Sequence, residues 1–458
     1  MNHPLDERRA FLKHILYGGM GVAALSSMQM SLMNAVLAQS NSESDYKALV
    51  CVFLFGGNDS YNMLRPMEGE ALTDYQMTRQ NLARSQAFEI SPGSQQVDGG
   101  IGLVPELLGM KTLFDQGNLA IQANVGTLIR PTSKTDIINK AVVLPADLYA
   151  HNSQQLTWQR GAELNQKDTG QTGWAGRAID VLQSNSNAPF IQNVSVTGHN
   201  NWQVGMNTAA YHVDAETVET MNIYKHHAYA AIRKPILEQH IYHTSFSHLL
   251  AQSYNEVVKN AEDNAQLLTN SLSLLSPLDI DVPSNNTLAL QLARVTDLIR
   301  LGKLQGLSRQ VFFVGLGGWD SHNNQATNHP KLLTLLNDAL LYFYQTHLAI
   351  GVENEVTSFT MSDFGRTLTS NGDGTDHGWG GHQFIMGGSV RGDLYGILPP
   401  QTATNEYALN GGRMIPTTAS EQMFASLAAW YGVSETDLVT LFPNLEHFDQ
   451  DVDYFSAV

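Results

Sequence analysis

Cysteine is almost absent from this chain of 458 residues: Cys51 is the one instance. No internal disulfide can form. Cys51 lies inside Ala48–Phe55, an unbroken apolar run, where a buried core residue is expected and a nucleophile is not. Basic side chains are also scarce, 26 Lys and Arg against 43 Asp and Glu, giving a formal net charge of −17. So acidic a surface argues against nucleic acid and against anionic membrane surfaces as partners. Charged residues make up only 15% of the chain and hydrophobic ones 43%, a balance that permits a sizeable core. The apolar stretch near the N-terminus is short and broken by glycine, so no membrane span is expected in the mature protein. No internal repeat is present.

What the first residues do contain is a twin-arginine pattern. Arg8-Arg9-Ala10-Phe11-Leu12-Lys13 precedes an apolar segment to about Leu37, and Val36-Leu37-Ala38 offers the small residues that a signal peptidase reads. Residues 1–38 are therefore expected to be an export signal and 39–47 a solvated linker. This leaves 48–458 as one α/β domain, in the periplasm or secreted. Twin-arginine export carries already folded proteins, often with a cofactor or metal loaded beforehand.

Ala48–Phe55, Leu119–Val125, Ile191–Val196, Val311–Leu316 and Val356–Met361 read as strands, and Ala48–Phe55 and Val311–Leu316 are apolar throughout, the mark of burial on both faces. Helical patterns alternate with them at Pro105–Gln116, Asn286–Leu304 and Lys331–Leu348, and Ser420–Tyr431 follows as a further helix. Such alternation predicts an α/β fold, a largely parallel central sheet sandwiched by helices. Phe384–Tyr395 reads as a hairpin. Residues 215–275 read as a helix-rich insertion over the sheet, with His240 and His243 on one helix face.

Open α/β sheets place their sites beyond the C-terminal ends of the strands. Several of these strands end in glycine-rich polar loops. The first runs into Gly56-Gly57-Asn58-Asp59-Ser60, where Asp59 is either a site carboxylate or a helix cap. Val311–Leu316 runs into Gly317-Gly318-Trp319-Asp320-Ser321-His322. An extended loop lets Asp320 and His322 point the same way, although a capping aspartate in a Trp-anchored turn has the same pattern. Val356–Met361 delivers Asp363, and a polar loop then carries Asp376, His377 and His382. Earlier, His151-Asn152-Ser153 precedes a short helix. Exposed amides there favour a nucleophile or an anion, and the plainer reading is a cap beside a surface histidine. Carboxylate and imidazole together suit a divalent metal such as zinc or manganese. Two such metals would clamp both oxygens of an in-line displacement. The planar fork of Arg366 or Arg130 would suit a tetrahedral oxyanion.

Phe55-Gly-Gly-Asn-Asp-Ser-Tyr-Asn62, Gly317-Gly-Trp-Asp-Ser-His322, Ser362-Asp-Phe-Gly-Arg-Thr367 and Gly374-Thr-Asp-His-Gly-Trp-Gly-Gly-His382 together resemble the bacterial family called domain of unknown function 1501. Ile415-Pro-Thr-Thr418 and Leu441-Phe-Pro-Asn-Leu445 fit it as well. That family is similar to the alkaline phosphatase and sulfatase superfamily. The resemblance implies an alkaline-phosphatase-like fold with metal ligands and a nucleophile at one edge of the sheet. Asp59, Asp320, His322, Asp363 and His377 would hold metal, with Asp376 and His382 as ligand, support or general acid. Ser153 beside His151, or Ser60, would be the nucleophile, unless a metal-activated hydroxide replaces it. Phe364 stands where the superfamily's Ser-Asp-His-Gly motif has histidine, and Ala150 where many family members have serine. The expected activity is hydrolysis of phosphate or sulfate esters of a small molecule or glycan. The alternative is a non-catalytic exported protein that binds a glycan or another exported protein.

Overall fold

An apolar run can be buried on both faces only inside a layered structure, and the runs above become the inner strands of one sheet. The computed structural model describes residues 45–161, 172–182, 190–218, 227–243, 245–449 and 452–455. The expected export signal at 1–38 and most of the 39–47 linker lie outside the described residues.

The central sheet has nine strands: β1 (Lys47–Leu54), β2 (Leu119–Gly126), β3 (Asn193–Ser195), β4 (Tyr211–His212), β5 (Arg309–Leu316), β6 (Val356–Ser362), β7 (Gly381–Met386), β8 (Leu394–Tyr395) and β9 (Thr418–Ala419). Their order is β8-β2-β7-β6-β1-β5-β3-β4, with β9 also paired to β2. Every pairing is parallel except those of β7, which runs against both β2 and β6. The fold is thus α/β with a largely parallel sheet, as the alternation predicts.

Side chains of a strand alternate between the two faces. In β1, Ala48, Val50, Val52 and Leu54 enter one core with the helices Leu108–Asp115, Thr287–Leu304 and Gln325–Ile350. Leu49, Cys51 and Phe53 enter the other, with Trp174–Leu182 and Ser420–Tyr431. Cys51 is buried, as its apolar surroundings predict.

Register sets the position of the site. Leu54 pairs with Leu316 on one side and Ser362 on the other, so β1, β5 and β6 end level. The loops after them open at one edge. Because β7 is reversed, its first residues, with His382, lie at that same edge.

Three expectations need correction. Phe384–Tyr395 is no hairpin: β7 is buried along its length between β2 and β6, and β8 pairs on the far side of β2. Pro105–Gln116 is a 3-10 turn, Pro105–Leu107, leading into Leu108–Asp115. The helix expected from Lys331 begins earlier, at Gln325, and contains Pro330. Among the described residues of the helix-rich segment stand two helices, His227–His243 and Leu249–Ser273.

Candidate metal centre

β6 carries Asp363 to the edge and into complete burial. A buried carboxylate must be hydrogen-bonded, and three donors meet this one. The Gly56 amide donates to Oδ1 at 3.1 Å. His151 Nδ1 and Gln155 Nε2 reach Oδ2 at 2.6 and 2.9 Å. His151 opens the helix His151–Arg160, and Gln155 lies four residues on, so both share one face. Gly56 has a φ of +121°, and a Cβ there would meet the Asp320 amide at 2.3 Å. Only glycine lets the β1 and β5 loops touch.

Asp320 is the hub. Its side chain is 46% exposed, and three imidazoles surround it. His322 Nε2 and His377 Nε2 stand 3.2 and 3.4 Å from Oδ1, and His151 Nε2 stands 3.5 Å from Oδ2. Arg366 is fully buried behind it and also donates to Oδ1. The remaining donors of Arg366 go to the carbonyls of Gly57, Gly56, Trp319 and Thr375. Its guanidinium is therefore a clamp on the loops and is not available to a substrate oxyanion.

The imidazoles are held in different electrostatic states. The Asp363 hydrogen bond raises the His151 pKa, overcoming partial burial. His377 is pushed down, first by burial and then by Arg366, His151 and His322. Burial alone would raise the Asp320 carboxyl, but the Arg366 hydrogen bond and charge, with His322 and His151 behind them, hold it below the ordinary carboxylate value.

This donor set fits a divalent metal. One ligand atom each of His151, Asp320 and His377 lie within 4.8 Å of one another. His151 Nδ1 must donate to the Asp363 carboxylate, and His377 Nδ1 donates to the Tyr149 carbonyl at 2.7 Å. In the neutral form of each ring this leaves Nε2 bare toward the cluster, the arrangement in which outer hydrogen bonds orient metal-binding histidines. His322 Nε2 is 2.9 Å from His377 Nε2, a contact that needs a proton or a cation between the two nitrogens.

The other residues singled out from sequence stand elsewhere. Asp59 is fully buried below the cluster, where Arg79 and Gln325 donate to its Oδ2. His382 is buried, takes the Asn124 amide on Nδ1 at 3.0 Å, and has its pKa pushed down to about 3 by burial. It is no general acid near neutral pH. Ser153 points to Asp147 at 3.1 Å, because the third residue of its helix faces away from Asp363. Ser60 accepts the His382 amide. Asp376 stands at the mouth, 3.4 Å from His322 Nδ1, and Arg130 is exposed. His240 and His243 lie on the distant helix His227–His243.

Sequence reasoning overlooked Gln155, Tyr149, Arg79 and Gln325. Gln155 had a signal, its four-residue spacing from His151. Arg79 and Gln325 had none, since each lies in a helix that reads as an ordinary partly exposed one.

The profile of the family described as "Protein of unknown function (DUF1501)" matches residues 46–410. No curated protein matches the chain. Among solved structures, the PsFucS1 sulfatase from Pseudoalteromonas sp. aligns over 95% of this chain and 73% of its own, at 10% identity and a TM-score of 0.33.

Proposed function

The chain belongs to the DUF1501 family, and from that premise we propose that it is a metal-dependent hydrolase of phosphate or sulfate esters, acting after export. The observation that carries this reading is the trio His151, Asp320 and His377, with both imidazoles locked in the ligand tautomer. A divalent ion such as zinc or manganese, when bound there, supplies Lewis acidity toward an ester oxygen and a means of ionising water near neutral pH.

The chain's own residues do the rest. Asp363 fixes the ring of His151 and strengthens its Nε2 as a donor. Arg366 fixes Asp320 against the loops of β1 and β5. His322, partly exposed beside Asp376, is placed to hand a proton to a departing alkoxide. Ser153 has no part in this scheme, so no covalent intermediate is invoked.

The test is metal content by mass spectrometry on the full mature protein, alongside Asp320→Ala and His377→Ala, followed by a phosphate- and sulfate-ester panel. Stoichiometric metal in the wild type, lost in both variants, with ester turnover that falls in step, is the expected result. A folded wild type that retains no metal after supplementation overturns it. One observation favours a second reading, a non-catalytic binding protein: Ala150 caps the helix where a nucleophile could stand, and Ser153 is turned away. Metal retained without turnover of any ester would select that reading.

A further inference from the structure

Since Arg366 is fully committed to the loops, an anionic substrate needs another cation, and Arg413 is placed for the task. It follows the turn of a small hairpin, Ala408–Leu409 paired with Arg413–Met414. Gly411 and Gly412 make that turn at φ +74° and +72°, in the left-handed region that glycine tolerates. The turn is pinned to the loop after Asp363: Leu368 and Thr369 donate their amides to Gly412 and Gly411 at 3.1 and 3.2 Å. The backbone under Arg413 is thus fixed by the same loop that carries the metal-centre residues.

The side chain is fixed as well. Nε donates to the His377 carbonyl and Nη1 to the Asn410 carbonyl, both at 2.8 Å. The guanidinium lies 5.1 Å over the ring of Tyr149, whose own carbonyl orients His377. Among the described residues nothing bonds Nη2. Tyr149 is 40% exposed, so guanidinium and ring together form an open rim beside His377.

We infer that Arg413, stacked on Tyr149 and anchored to the His377 backbone, receives an anionic oxygen of the substrate. This rests on the hydrolase reading and adds its recognition element. A guanidinium held by two of its nitrogens loses little freedom when the third binds. The exposed part of the Tyr149 ring beside it favours an ester whose remainder carries a flat or sugar-like apolar surface.

The probe is inorganic phosphate, titrated calorimetrically into the metal-supplemented mature protein at low ionic strength. Wild type is compared with Arg413→Ala, Arg413→Lys and Tyr149→Ala, with metal content and melting temperature measured on each. The expected result is phosphate affinity reduced about tenfold or more in Arg413→Ala, from loss of a charge-assisted hydrogen bond, with metal content unchanged. Arg413→Lys should restore part of the affinity and Tyr149→Ala should weaken it less. Equal phosphate affinity in wild type and Arg413→Ala overturns the inference, as does a metal-loaded wild type that binds no phosphate. A wild type without metal that still binds phosphate through Arg413 refutes the hydrolase reading and leaves the anion site standing.

Discussion

Asp59 and Arg79 form an ion pair in which both side chains are 0% exposed. Asp59→Asn keeps the shape and removes the charge, leaving the Arg79 guanidinium buried and uncompensated. Breaking a buried pair from one side costs about 3–5 kcal/mol. Native domains are stable by roughly 5–15 kcal/mol in all, so this one atom change should remove a large share of stability. Arg79 also donates to the carbonyls of Thr367 and Leu368 at 3.1 and 3.0 Å, and Gln325 ties the same carboxylate to Thr375 and Ser321. Asp59 therefore braces both loops that carry residues of the candidate metal centre without entering that centre. The assay is a double-mutant cycle in denaturant, Asp59→Asn, Arg79→Met and both together, with metal content on each. With the charge gone from both sides, the double variant should recover most of the Asp59→Asn loss, keeping a deficit of about 1–3 kcal/mol for the two abandoned carbonyls. Asp59→Asn within about 1 kcal/mol of wild type would refute the reasoning, as would single losses that simply add. Metal lost from Asp59→Asn while its stability holds would make Asp59 a ligand after all.

Burial pushes His329 to about 4 and His347 and His382 to about 3. Their unfolded forms take up protons first, so the stability they contribute is present above about pH 6.5 and is lost as pH falls toward those values, by roughly 3–5 kcal/mol each at the acid end. His347→Leu, outside the candidate metal centre and packed edge-on against Phe343, should flatten the acid limb of stability against pH; an unchanged slope between pH 7 and 4 would count against this. Gly56→Ala, whose Cβ would fall 2.3 Å from the Asp320 amide, should displace the Asp320 loop and cut metal content at least severalfold, measured by mass spectrometry. Arg366→Lys cannot reproduce four carbonyl contacts and a carboxylate contact from one guanidinium. It should lower stability by about 2–4 kcal/mol and release metal, whereas Arg413→Lys should leave both intact.

β1 and β5 were legible because strands buried on both faces favour unbroken apolar runs, and the loops after β5 and β6 were legible because glycine and polar residues follow those strands abruptly. The reversed direction of β7 was not, since a buried strand reads alike in either sense. That reversal decides the place of His382: it enters the edge at the start of its strand, inside the sheet, where the Asn124 amide donates to its Nδ1. The small three-stranded sheet of Leu64–Pro66, Ile101–Leu103 and Phe88–Ile90 was missed because its strands are only three residues long.

Two tetrapeptides show where local sequence stops being informative. Gly56-Gly57-Asn58-Asp59 and Gly317-Gly318-Trp319-Asp320 follow neighbouring parallel strands of equal length and end in the same residue. From sequence both aspartates have an equal claim on a metal. The difference lies in what other elements bring to each. Beneath the first, the helix Gly69–Arg79 closes with a buried arginine, and a carboxylate facing a permanent cation has its charge already satisfied. Around the second, the β6 loop and the helix His151–Arg160 bring His377 and His151, bases whose bare nitrogens compete for a cation that none of them supplies. Arg366 neutralises only one side of Asp320 and leaves the other facing His151 at the open edge. A carboxylate is open to a metal when one of its oxygens is left without a cation and faces other lone pairs, and that condition belongs to the assembled edge of the sheet, not to either loop alone.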